Sequence, residues 1–163
     1  MNDLKSITLI KSSRNPTGKW SNKGNWTIWN KTIKSNMGIL TGNYTKGKSL
    51  TYHNNGITVI KVDVNSEFLK FGKTLEDITK RFNTFSVKSV SGSIHFYFKY
   101  ENIRSKLNTK HKIDILNDGC FVVSPNSSIG NKKYEITRIT VPDGSAPLSR
   151  WGARLGQIRG ATD

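Results

Sequence analysis

Cysteine is almost missing from this chain. Cys120 is its only one in 163 residues, which excludes an internal disulfide. With His53, His95 and His111 scattered singly, no Cys/His cluster at zinc-ligand spacing exists either. Stability must come from packing. No apolar run approaches the roughly 18 residues of a membrane-spanning helix, and Met1-Asn2-Asp3-Leu4-Lys5 does not open a signal peptide. The chain is therefore expected to be intracellular, with no membrane partner. Acids are scarce as well, 11 Asp and Glu against 26 Lys and Arg, which gives a formal charge of +15 and a pI near 10.1. A polyanion, nucleic acid first, is the partner such a balance suggests. The length suits one domain and excludes a polymerase joined to a helicase.

The basic balance has a second origin to set beside binding. Residues 1–133 hold all 19 lysines and all 16 asparagines but only three arginines, a usage that an AT-rich genome produces unaided. From Tyr134 onward Lys and Asn vanish, and Arg138, Arg150, Arg154 and Arg159 stand among Gly, Ala and Pro. That break divides the chain into a domain over residues 1–142 and a segment over 143–163, a tail, a truncated linker or a cloning scar, which is left out of fold reasoning.

Strand signals dominate the rest. Met37–Thr41, Gly56–Val64, Phe85–Val90, Ser93–Tyr100, Lys112–Leu116 and Cys120–Ser124 are apolar, rich in β-branched or aromatic residues and separated by Gly92, the polar stretch 101–111 and Asn117-Asp118-Gly119. Between them, Thr74-Leu75-Glu76-Asp77 with Ile78 and Phe82 following reads as a capped amphipathic helix. Trp20, Trp26 and Trp29 among lysines could stack bases, but core tryptophans on a solvated lysine face are the simpler reading. The pattern predicts an α+β domain with helices packed on a largely antiparallel sheet.

Gly42-Asn43-Tyr44-Thr45-Lys46-Gly47-Lys48-Ser49 fits the phosphate-loop pattern GxxxxGK[ST] letter for letter. That loop needs a helix starting at its Lys-Ser pair, whose amides hold the phosphates. Here Leu50-Thr51-Tyr52-His53 runs into the turn signal Asn54-Asn55-Gly56, so no helix has room. The spacing suits a hairpin instead, since a parallel crossover takes about a dozen residues or more.

A different constellation carries chemistry. Alternation along the strand from Ile57 puts Lys61, Asp63 and Asn65 on one face and Ile60, Val62 and Val64 on the other. In the next motif Ser93, His95 and Tyr97 share a face, and Asp114 projects between Ile113 and Ile115. Three strands thus offer polar groups to one surface. Carboxylates on neighbouring strands can hold a divalent cation, and a histidine and lysine beside them can grip triphosphate oxygens. Taken singly, each is as readily a solvated sheet residue.

The ordered runs Asn36–Gly42, Gly56–Val64, Ser91–Phe98 and Ile113–Gly119 with Phe121–Ser127 resemble the prim-pol domain of archaeo-eukaryotic-type primases, in the form found in large DNA viruses, phages and plasmids ahead of a primase-associated helicase. The likeness covers residues 15–137. It implies a prim-pol fold with a sheet core like that of the RNA-recognition motif, and metal-dependent synthesis of primers or DNA strands. It also implies Mg2+ or Mn2+ as cofactors, and DNA template or primer, nucleoside triphosphates and a replicative helicase domain as partners. Carried over by position, Asp63 and Asp114 are the catalytic metal-binding acids, and Ser93 and His95 bind the nucleotide.

The first motif departs from the family pattern. A hydrophobic strand there ends in Asp-x-Asp, whereas this chain reads Ile60-Lys61-Val62-Asp63, with Lys61 in the first acid's place; a shift by two gives Asp63 and Asn65, again with one carboxylate. Exchanging a carboxylate for an ammonium moves the local charge by two units where two cations would sit, which weakens metal binding. Lys61 then either holds triphosphate itself, marks a domain that only binds nucleic acid, or turns away and leaves Asp63 and Asp114 with one metal. The rival from another class is a non-catalytic nucleic-acid-binding module. An RNA-recognition motif proper would need an Arg/Lys-Gly-aromatic signature that Ser93–Phe98 lacks.

Overall fold

The computed structural model describes residues 5–19, 23–28, 33, 35–42, 56–66 and 74–138. In chain order the elements are β1 (Lys5–Thr8), a 3-10 turn (Lys23–Asn25), β2 (Thr27–Ile28), β3 (Met37–Leu40), β4 (Ile57–Val62) and helix α1 (Leu75–Phe82). Then follow β5 (Ser86–Lys88), β6 (Ile94–Lys99), β7 (Ile113–Leu116), β8 (Phe121–Val123), β9 (Ser128–Ile129), β10 (Lys132–Lys133) and β11 (Glu135–Arg138). They form a four-stranded sheet ordered β2-β1-β3-β8, a five-stranded sheet ordered β11-β5-β6-β4-β7, and the β9–β10 hairpin, with every pairing antiparallel.

The five-stranded sheet organises the molecule. Ile57-Thr58-Val59-Ile60 is a β-branched run buried on both faces, as befits the strand that has β6 on one side and β7 on the other. One face, through Ile60, Val62, Ile94, Phe96, Phe98, Ile113 and Ile115, packs on Ile78 and Phe82 of α1. Phe82 meets Phe96 and Phe98 edge-on, with ring centroids 4.9 and 5.6 Å apart. The opposite face, through Ile57, Val59, Val87 and Tyr97, packs on Ile7, Leu9, Ile39, Leu40, Val122 and Val123 of the other sheet and its flanks. Trp26 lies against this second core, the packing role expected of it, whereas Trp20 and Trp29 lie outside the described residues.

The α+β class and each strand expected from the sequence are present, and α1 starts where its cap was read. Asp77 N donates to Thr74 Oγ1 at 3.1 Å and Thr74 N to Asp77 Oδ2 at 2.9 Å. Among the described residues α1 is the one α-helix, fewer than the packed helices expected. Beside it the order β4–α1–β5–β6–β7, with β4 and β6 central and β5 lying beyond β6, makes a split β-α-β core of the kind that the RNA-recognition-motif likeness implies. No helix among the described residues is long and apolar enough to cross a membrane.

The flanks of the rejected phosphate loop meet as antiparallel neighbours. Gly42 N donates to Ile57 O at 2.6 Å, and the two form an isolated antiparallel bridge between β3 and β4, which belong to different sheets; residues 43–55, and with them the expected hairpin, lie outside the described residues. The approach is so close that a Cβ on Gly56 would stand 2.1 Å from the Gly42 carbonyl oxygen, so only glycine fits there.

Candidate functional site

Cross-strand register builds the site. Lys61 of β4 stands directly opposite His95 of β6 on one side and Asp114 of β7 on the other, so the three side chains form one row on one face. That face is the one buried against the other sheet further along, because Val59, two residues back from Lys61, belongs to the inter-sheet core. The row therefore lies where the core opens into a cleft. About 470 Å³ in volume, it is walled by Lys61, His95 and Asp114 below, Phe121–Val123 of β8 above, and Arg14, Ser89, Ser91 and Tyr134 around them.

Asp63 sits just beyond the row. Its N–H still donates to Lys112 O at 3.0 Å, but its own Oδ1 accepts from Asn65 N at 2.8 Å and its carbonyl from Ser66 N at 3.0 Å. This Asx turn ends β4 at Val62 and corrects the sequence reading at two points. Val64 is 41% exposed instead of entering the core, and Asn65 lies in an exposed turn, off the face of Lys61. β4 thus keeps Lys61 within its pairing and leaves Asn65 outside it.

Asp63, Lys61 and Asp114 line a second, smaller hollow of about 150 Å³ with Asn108, Thr109 and Lys112. Lys61 and Asp114 belong to both hollows, which places Asp63 on one side of them and His95 on the other. Asp114 Oδ1 lies 3.4 Å from Thr109 N. Two carboxylates and two ammoniums balance formally here, and among the described residues no three His, Cys, Asp or Glu side chains gather as metal ligands.

His95 is 5% exposed, its Nδ1 has no hydrogen-bond partner, and its ring lies 6.1 Å from that of Tyr134. Burial first, then the neighbouring Lys61 and Arg14 cations, pull it down to about 3, so it is neutral at physiological pH. Ser93 is buried and reaches the cleft only through a hydroxyl chain, 3.4 Å from Ser91, which is 2.9 Å from Ser89. Tyr97 shares the His95 face but belongs to the core, its ring edge-on to Phe85 at 5.1 Å, and burial pushes its phenol pKa up.

Arg14 and Tyr134 are the functional candidates that sequence reasoning missed. Arg14 Nε donates to Tyr134 Oη at 2.7 Å, a contact across 120 residues that pattern cannot foresee. One signal was available: Arg14 is one of only three arginines among the 19 lysines of residues 1–133.

With Arg14 and Lys61 against Asp114 and a neutral His95, the cleft carries net positive charge in a volume suited to one nucleotide-sized anion. An α+β domain with a basic pocket at the open end of an inter-sheet core is the class that fold and site define. A family model for the N-terminal domain of bifunctional DNA primase/polymerases matches residues 9–151, and the chain belongs to that family. It is a domain of DNA replication, of a class whose substrates are DNA and nucleotides. Comparison with curated proteins finds no match.

Proposed function

We propose that this domain binds a nucleoside triphosphate in the cleft between its sheets and carries out nucleotidyl transfer on DNA only weakly, because Lys61 stands where the reaction calls for an acid. The observation that carries the proposal is the register: Lys61 is paired with both His95 and Asp114, so its ammonium occupies the middle of the row. Arg14, Lys61 and His95, whose Nδ1 has no hydrogen-bond partner, would hold triphosphate oxygens, the cations by charge and the neutral imidazole by hydrogen bonding.

The acids fit one divalent cation and not two. Mg2+ is commonly held by one or two carboxylates together with substrate phosphates, and Asp63 and Asp114 line one small hollow. Bound there, the ion would neutralise charge on the phosphates. Lys61 would take over part of the second ion's charge without its capacity to activate a hydroxyl. The rival reading, a binding module without catalysis, draws on the same ammonium and on the lack of a three-ligand cluster among the described residues.

Primer extension with Mg2+ or Mn2+ separates the two. The unmodified chain is expected to incorporate little, and Lys61→Asp to raise both cation affinity and incorporation, with melting temperature followed in parallel. Asn65→Asp, in the turn beyond the strand, is expected to change nothing. Robust incorporation by the unmodified chain, abolished by Asp63→Ala, would show that one acid of the first motif suffices and end the proposal. No gain from a folded Lys61→Asp variant would favour the binding module.

A further inference from the structure

Arg14 sits exposed on a loop, yet the backbone beneath it is fixed twice. The loop closes between Leu9 and Pro16, which form an antiparallel bridge, and inside it Ile10 N donates to Asn15 O at 2.8 Å. Buried Asn36 then fastens it to β9: Nδ2 donates to Ser13 O at 3.2 Å and to Ser128 O at 2.7 Å, and Oδ1 accepts from Ser128 N at 2.8 Å. These bonds hold the backbone and not the side chain. An exposed arginine on a loop keeps its rotamer freedom, and a ligand that uses it must first immobilise it.

Tyr134 removes that freedom. Its ring belongs to the inter-sheet core at 2% exposure, and its backbone is pinned through both groups, Tyr134 N donating to Ser127 O and Asn126 N to Tyr134 O, each at 2.8 Å. Its Oη comes up at the cleft, where it accepts from Arg14 Nε at 2.7 Å. Of the five guanidinium N–H groups this bond uses one, and the four on the Nη atoms have no acceptor among the described residues. The charge so held acts on the row, since Arg14 is one of the two cations that keep His95 low.

We infer that Tyr134 is a positioning residue: its phenol oxygen, anchored in the core, presents the Arg14 guanidinium to the triphosphate with both Nη groups available. It acts through Arg14 and not on the ligand. The inference rests on the cleft being the nucleotide site, and adds that one of its cations is set in place before the ligand arrives. Tyr134→Phe is the informative variant, because it keeps the ring in the core and beside His95, 6.1 Å between centroids, and deletes only the oxygen.

Exchange of the Arg14 Nε–H with water, followed by NMR on the ligand-free chain, reads the contact, and titration with inorganic triphosphate reads its use. Exchange should be slow in the native chain and fast in Tyr134→Phe, with melting temperature close to native. Triphosphate should bind Tyr134→Phe about two- to tenfold more weakly, the affinity equivalent of immobilising one long side chain. In an Arg14→Gln background the same change should cost nothing further, because a residue that acts through another has no effect once that other is gone. Unchanged affinity in Tyr134→Phe overturns the inference, as does Nε–H exchange that stays slow without the hydroxyl. An equal loss in the Arg14→Gln background overturns it too, since the hydroxyl would then act on its own. Slow exchange with no triphosphate bound by the native chain would instead strike the cleft reading, and with it any role for the contact in binding.

Discussion

Acid should destabilise this domain through His95. An unfolded histidine titrates near 6.5, whereas burial, Lys61 and Arg14 hold this one at about 3, so between those values the unfolded chain binds a proton that the folded chain refuses. Stability is full above the unfolded value and is lost as pH falls below it. Integrated from pH 8 to pH 4.5, the linkage amounts to about 3 kcal/mol, a large part of the roughly 5–15 kcal/mol that a domain commands. Urea denaturation at the two pH values, on the native chain and on His95→Gln, isolates the contribution, because carboxylate effects are common to both. The native chain should lose about 3 kcal/mol more than the variant over that range. Inorganic triphosphate should shrink the difference, since an anion beside Lys61 and Arg14 offsets the charges that keep the proton away. Equal pH dependence in the two proteins would refute the reasoning and place His95 in a more hydrated setting than its burial indicates.

Arg14→Gln should weaken triphosphate binding roughly tenfold, the loss of one charge-assisted contact of about 1.4 kcal/mol, and raise the His95 pKa followed by NMR titration. Phe96→Ala should cost about 3–5 kcal/mol in urea denaturation, because the ring is fully buried and braced by Phe82. Thr74→Ala should cost about 1 kcal/mol by removing the α1 cap, with DNA and triphosphate binding unaffected.

Which parts of this structure could be read from the sequence follows from where their information lies. The strands of the five-stranded sheet are marked by runs such as Ile57–Ile60 and Phe96–Phe98, and α1 by Thr74 and Asp77, because local burial and capping leave local signatures. β1 and β11 went unread: Lys5-Ser6-Ile7-Thr8 and Glu135-Ile136-Thr137-Arg138 are short and mostly polar, and tertiary pairing makes them strands. The row of Lys61, His95 and Asp114 was legible because alternation fixes faces and the register then aligned them. The end of β4 was not, because an Asx turn at Asp63 competes with continued alternation and leaves the same letters. Arg14 and Tyr134 reach the cleft from opposite ends of the chain, where no spacing rule applies.

The double pairing of β4 has a consequence for how such a domain can change. The backbone at position 61 is held by β6 on one side and β7 on the other, while its side chain, half-buried at the mouth of the cleft, carries no part of the core. What sits there is thus free of the scaffold: a carboxylate, an amide or an ammonium can occupy the same point in space with the sheet undisturbed. The charge at the centre of the row and the foldedness of the sheet are separately inheritable at this residue. A lineage can reverse the sign of the cleft's midpoint without dismantling the platform beneath it.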